Sequence, residues 1–195
     1  CLGIFAGSFT LEAAVSIIPA TSDADTASIL ADLVCKSLVS VDIGSSIARF
    51  RLLEITKAFA LAKLIDQSER GTLATRLASC VTEMLRKCAL GPHQVQTARD
   101  AVHELDNVRG ILSWAFSPNG DRRLGVALAA AAVPVWLENS LLTECVAWTT
   151  NAIDTLEPGV DAERDEMLLK AAFGLAVMYT EGMTGQSRDA LNRAI

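Results

Sequence analysis

The sequence holds no GxxxxGK(S/T) segment, and its 12 glycines are isolated instead of gathered into a loop. That excludes a P-loop nucleotide site within this chain, because such a site needs consecutive backbone N–H groups cradling the phosphates. Histidine is scarce: His93 and His103 lie ten residues apart, which is not an i, i+4 ligand pair. Cys88 and His93 flank a predicted helix end, but two ligands do not make a metal site. The five cysteines (Cys1, Cys35, Cys80, Cys88, Cys145) contain no CxxC pair. Their odd number and scatter suit reduced thiols, and none carries a nucleophile motif. The longest apolar run, Leu124–Leu137, has 14 residues, too few to span a bilayer as a helix. Leu2–Ala6 is too short for a signal core and lacks a basic flank. A cytoplasmic location is the expectation.

Aromatic residues make up only 5% of the chain against 51% hydrophobic residues, with alanine and leucine abundant. Small side chains of this kind favour closely packed helices over a strand-rich sandwich. The net charge of −6 argues against broad nucleic-acid affinity, which needs a concentrated positive surface. A length of 195 residues fits one or two domains. The chain opens without methionine, inside an apolar segment, and so reads as part of a longer protein.

The most informative stretch is residues 35–64. Two apolar runs, Ser37–Val41 and Phe50–Leu53, flank a turn of Asp42, Gly44, Ser45 and Ser46, which is a hairpin signal. From Ile55 the period becomes helical, with Ile55, Ala58, Phe59, Ala62 and Ile65 along one face. Two helices are predicted before the hairpin. One starts at the N-cap Thr10, with Glu12 in its first turn, and runs through Ile18; the other covers Ala24–Cys35 after a loop at Ala20–Asp25, with Ile29, Leu30 and Leu33 inward. Helix, helix, strand, strand, helix is the order of a winged helix.

The remainder predicts helices throughout. Gln67–Gly71 is a polar break. Leu73, Leu77, Val81, Met84, Leu85 and Cys88 mark a helix to about Ala89, ended by Gly91-Pro92. A helix from about Gln94 to Phe116 carries the stripe Val95, Ala98, Val102, Leu105, Val108, Ile111 and Leu112. After the loop Ser117–Asp121, Leu124–Glu138 is apolar nearly all round and should be buried on several sides, with Pro134 removing one helix hydrogen bond. Helices at Ser140–Leu156, Ala162–Thr180 and Gln186–Ile195 follow, with breaks at Glu157–Asp161 and Glu181–Gly185. At an offset of 42, Ala129–Ile153 overlays Ala171–Ile195 without gaps, as in stacked helical hairpins that bury their apolar faces together. The expected fold is mainly α: a small winged-helix domain over residues 1–67, helices plus a two-stranded hairpin, then an α-helical repeat array over 68–195.

The segments Leu2–Ala14, Ile29–Asp42, Arg49–Leu64 and Glu104–Phe116, in this order, resemble the region after the nucleotide-binding core of bacterial STAND-type, NB-ARC-like ATPase transcriptional regulators. The resemblance implies an upstream ATPase domain that binds ATP or ADP, a winged helix packed on it, and a TPR-like character for the α-helical repeat array over 68–195. In that family an MHD-like triplet places a histidine by the nucleotide phosphate. Leu52-Leu53-Glu54 is the local match, so Leu53 stands where the histidine would be. Leucine cannot donate a hydrogen bond to phosphate.

Catalytic, cofactor-binding and metal sites are all expected to be absent, and the chain is read as no enzyme. Residues 1–67 carry five basic residues (Lys36, Arg49, Arg51, Lys57, Lys63) against seven acidic ones (Glu12, Asp23, Asp25, Asp32, Asp42, Glu54, Asp66), a net of −2. The helix that would enter a DNA major groove presents Asp25 and Asp32 with only Lys36, so carboxylates would face phosphate. Arg49 and Arg51 share one face of the second strand and read as solvated, or as contacts to an upstream domain. Glu104/Asp106, Asp154/Glu157 and Asp161/Glu163/Asp165/Glu166 read as helix-start charges and solvated faces, Asp106-Asn107 as a helix break or cap, and Trp114, Trp136 and Trp148 as core. The functional expectation is a noncatalytic regulatory and protein-interaction fragment. Its partners would be the upstream ATPase domain of the same protein and a protein or small-molecule effector on the helical array. The alternative is a winged helix that binds DNA directly.

Overall fold

The computed structural model describes residues 1–18, 22–44, 47–64, 67–90, 97–98, 101–156 and 163–181. Eight α-helices and one two-stranded antiparallel sheet are found among them, a winged-helix arrangement followed by a helical array. Spatially the chain forms two compact units: Cys1–Val81 with His103–Ile111, and Thr82–Val102 with Leu112–Ile195.

In the first unit, the Thr10 side chain accepts the Ala13 N–H at 3.3 Å and starts α1 (Leu11–Ile17), as predicted. Ser22 caps α2 (Asp23–Cys35) by accepting from Asp25 N at 3.2 Å, and donates back to Asp25 Oδ2 at 2.8 Å. Leu30 and Thr26 supply the buried face of α2 and Leu33 is half-buried beside them, while Ile29, also expected inward, is 42% exposed. The helix ends without glycine. Ser37 takes the left-handed conformation at φ 55°, its N–H bonds to Val34 O, and Leu38 N bonds to Leu33 O. Those are the two bonds of a Schellman cap, and they satisfy carbonyls that the helix end would leave bare.

The hairpin follows, with β1 (Val39–Asp42) antiparallel to β2 (Arg49–Leu52) in the register Val39↔Leu52, Val41↔Phe50. Ser45 and Ser46 of the predicted turn lie outside the described residues. Phe9 joins the sheet through a bridge to Phe50, exchanging hydrogen bonds of 2.9 and 2.8 Å. Phe5 stacks on Phe9 at 4.3 Å between ring centroids, and Phe9 on Phe50 at 6.1 Å. This aromatic ladder, with Ile17, Leu30, Val39 and Leu52, forms the core under the wing.

Helix α3 (Glu54–Lys63) follows directly, and Ile65 and Asp66 lie outside the described residues. Helix α4 (Gln67–Leu90) buries Leu73, Leu77, Val81 and Leu85 as its spacing predicts, while Met84 and Cys88 are half-buried. It already begins at Gln67, so Gln67–Gly71 is not a break. Glu69 and Arg70 are exposed on this first stretch, and straight-chain polar residues have good helix propensity, so polarity alone does not interrupt the helix. The predicted helix from Gln94 to Phe116 is also corrected. Ala101–Glu104 is a 3-10 turn and α5 is Leu105–Ala115, which leaves Val102 39% exposed while Leu105, Val108, Ile111 and Leu112 are buried. Gly91-Pro92, His93 and Val95 lie outside the described residues.

In the second unit, Asp121 caps α6 (Arg122–Glu138) by accepting from Arg123 N at 3.0 Å and Leu124 N at 3.2 Å. Helix α6 is the buried centre: Leu128, Ala129, Ala130, Ala132, Val133, Val135 and Trp136 are all out of water, as its all-round apolarity predicts. Pro134 sits inside the helix without ending it. A second glycine-free Schellman cap closes α6, with Ser140 at φ 56° and Leu141 N bonded to Trp136 O at 2.8 Å. Helices α7 (Leu142–Asp154) and α8 (Glu163–Glu181) pack on α6 and on each other. Alanine at Ala129, Ala132, Ala152, Ala172 and Ala176 lets the helices approach closely. Trp136 is fully buried, and Trp148 is half-buried and stacks on Phe116 at 6.3 Å, while Trp114 is half-buried. At the offset of 42, α6 falls on α8; the residues matching α7, including Gln186–Ile195, lie outside the described residues, as do Glu157–Asp161 and Gly182–Gly185.

Candidate functional site

A winged helix that reads DNA does so with the helix before its hairpin, so the exposed face of α2 is the first surface to weigh. That face presents Asp23, Asp25, Ser28, Ile29 and Asp32 to solvent, and its first cation is the C-cap Lys36. Three carboxylates and an isoleucine repel or ignore a phosphate backbone.

The second surface is apolar. Ile55 is 87% exposed, Phe59 64% and Leu53 47%, with Ala58 and Ala62 exposed on the same helix. Ile55, Ala58, Phe59 and Ala62, predicted to line one side of α3, do share that side, and it faces solvent; no side chain of α3 is buried. The opposite side rests on the chain start through close backbone approach. A Cβ at Gly3 would meet the Cβ of Ala60 at 2.9 Å, and Lys57 Nζ donates to Ala6 O at 2.7 Å. Leu53 is the N-cap of α3 and makes no side-chain cap bond, so its isobutyl group is available for apolar contact only.

Arg49 is neither solvated nor free. Its Nε donates to Ser8 Oγ at 2.9 Å, its NH2 group to Ser8 O at 3.2 Å and His103 O at 3.4 Å, and it pairs with Glu104 Oε1. Glu104 is 6% exposed, so the reading of Glu104 as a solvated helix-start charge is corrected too. Its other oxygen accepts from Asn107 Nδ2 at 3.0 Å, and Asn107, 1% exposed, also donates to Ser8 O at 2.8 Å and accepts the Gly7 N–H at 2.9 Å. Asp106 does face solvent, paired with Arg109 at 3.0 Å. Arg51, two residues along β2 from Arg49, remains exposed. Sequence reading missed this cluster because Arg49 lies 41 residues from Ser8 and 55 from Glu104, and Gly7 lies 100 from Asn107, and no local spacing announces such pairs.

His103 is exposed, Cys88 is half-buried, and His93 lies outside the described residues. Among the described residues no group of three or more His, Cys, Asp or Glu side chains could hold a metal ion. Asp154 is exposed, and Asp165 pairs with Arg86 at 2.9 Å and Glu166 with Lys170, ordinary helix-surface partnerships. Cys145 is fully buried, and burial beside Glu144 pushes its thiol up to about 11, the desolvation being the larger cause. A thiol so protected is a core group, not a nucleophile. No helix among the described residues is long and apolar enough to cross a membrane.

The chain is 34% identical over 158 residues to "Putative HTH-type transcriptional regulator Rv0890c" of Mycobacterium tuberculosis strain H37Rv. The same identity and length relate it to "Putative HTH-type transcriptional regulator Mb0914c" of Mycobacterium bovis. Each match takes in 78% of this chain but only 18% of the relative, so the chain spans less than a fifth of those proteins. No protein-family model matches the chain. No solved structure matches it either.

Proposed function

We propose that this chain is a noncatalytic regulatory and interaction region of a cytoplasmic transcriptional regulator of the STAND, NB-ARC-like kind. In this reading a winged-helix domain over residues 1–67 joins an upstream ATPase domain to a TPR-like array over residues 68–195 that receives a protein or small-molecule effector. The observation that carries it is the pairing of an acidic exposed face on α2 with an apolar exposed face on α3. Charge is wrong where DNA would have to dock, and apolar area is available where another protein surface can dock. The relatives named as transcriptional regulators support the regulatory setting. ATP or ADP would belong to the upstream domain, and this chain would carry no cofactor or catalytic residue of its own. Leu53, at the start of α3, would meet that domain by packing and not by a bond to phosphate.

The test is a transcription reporter driven by the full-length regulator. Phe59→Ser and Ile55→Ser should change its output in either direction without lowering the thermal stability of this chain. Unchanged output from both variants would refute the coupling role of α3.

The "HTH-type" name of the relatives favours one second reading, direct DNA binding by this winged helix. A low-salt titration of the chain with duplex DNA separates the two. Salt-steep binding at micromolar protein would establish the DNA reading, and no binding removes it.

A further inference from the structure

The segment His103–Ile111 belongs with the winged helix, yet residues of the second unit precede and follow it in sequence. Three buried apolar side chains, Leu105, Val108 and Ile111, favour its docking. What specifies the seat is polar. Arg49, Glu104, Asn107, Ser8 and the Gly7 amide form one closed network, with both oxygens of Glu104 and both ends of the Asn107 amide engaged. The backbones meet closely on either side of it: a Cβ at Gly7 would lie 2.8 Å from the Cβ of Asp106, and one at Gly110 would lie 2.9 Å from that of Ala6.

We propose that this network is a latch, and that His103–Ile111 undocks and redocks as one piece while the sheet beneath stays folded. Partial opening is disfavoured because losing either partner of the ion pair strands a desolvated charge, so the contact is closed or open with little between. The sheet has its own support. The β1–β2 ladder, the reciprocal Phe9–Phe50 bonds and the Phe5–Phe9–Phe50 stack involve no residue of the segment. A desolvated pair adds little net stability over apolar residues of the same shape, which keeps the closed state within reach of opening. Under the regulatory reading above, which this consequence alone rests on, opening is the step by which an effector on the array changes the winged helix.

Amide hydrogen exchange followed by NMR on the unmodified chain, across low urea concentrations, tests the latch without any transcription or DNA readout. The reporter is the Gly7 N–H, which is bonded to Asn107; the controls are the Phe9 and Phe50 N–H groups in the sheet. Gly7 should exchange through a local opening on the order of tenfold or more frequent than the opening that exposes Phe9 and Phe50. Glu104→Gln should speed Gly7 exchange further while Phe9 and Phe50 still open at least about tenfold less often than Gly7, and the double variant Arg49→Met, Glu104→Leu should restore slow exchange. Gly7 exchanging in step with Phe9 and Phe50 in the unmodified chain would overturn the latch, and so would a Glu104→Gln variant with unaltered Gly7 exchange. A Glu104→Gln protein that does not fold leaves the unmodified-chain comparison to decide.

Discussion

The guanidinium of Arg49 on β2 is ion-paired with the carboxylate of Glu104, 55 residues further along the chain, with side chains only 15% and 7% exposed. A pair so far from water behaves differently from the surface pair of Arg86 and Asp165, whose side chains are 51% and 21% exposed. Glu104→Ala should destabilise the chain by about 3–5 kcal/mol, because Arg49 is left charged and uncompensated. Arg86→Ala should cost no more than about 1 kcal/mol. Denaturant unfolding of both variants checks the contrast, and equal losses would contradict the burial argument.

Two helices end on a serine in the left-handed region, Ser37 at φ 55° and Ser140 at φ 56°. Glycine adopts this conformation without the Cβ clash, although it loses more freedom on folding. Ser37→Gly and Ser140→Gly should each raise stability by roughly 0.5–1 kcal/mol, seen as a higher midpoint in thermal unfolding. A fall in both midpoints would show that the serine side chains contribute more than the backbone strain costs.

Gly120 follows the end of α5 so closely that an added Cβ would sit 2.0 Å from Trp114 O and 2.4 Å from Ala115 O. Those are backbone atoms and cannot swing away. Gly120→Ala should therefore cost about 1–3 kcal/mol, whereas Gly71→Ala, where nothing lies within 4 Å of the new Cβ, should be neutral or stabilising.

Cys145 is buried with its thiol pushed up to about 11, while Cys1 and Cys35 are exposed. At pH 8 only about one Cys145 in a thousand would be thiolate, so a thiol reagent should label Cys1 and Cys35 promptly and Cys145 only on unfolding. The same shift has a linked effect on stability. Between the ordinary thiol value of 9.0 and about 11, the unfolded chain releases this proton and the folded chain keeps it. The unfolded state then binds fewer protons, so this contribution is fully present below pH 9.0 and declines by up to about 1.4 kcal/mol per pH unit through that window. Cys145→Ala should remove that slope, measured by unfolding at pH 8, 9 and 10.

The sequence by itself determined the local elements. The N-cap Thr10, the hairpin of two short apolar runs, the helical period after Ile55 and the all-round apolarity of α6 depend on neighbours within one or two turns, where spacing carries the information. Charge balance on α2 was legible for the same reason. The tertiary structure alone decided the rest. Helix ends at Ser37 and Ser140 carry no glycine to mark them; backbone hydrogen bonds back into the helix close both ends with serine where glycine would be favoured. The helix expected across Gln94–Phe116 gives way to a 3-10 turn at Ala101–Glu104, where Glu104 turns inward to Arg49. Whether an arginine or an apolar stripe faces water or protein depends on segments distant in sequence. So Arg49 proved half-buried and paired and Ile55 and Phe59 exposed, against the usual preference of each residue type, since burial is a property of the whole folded surface and not of the local period.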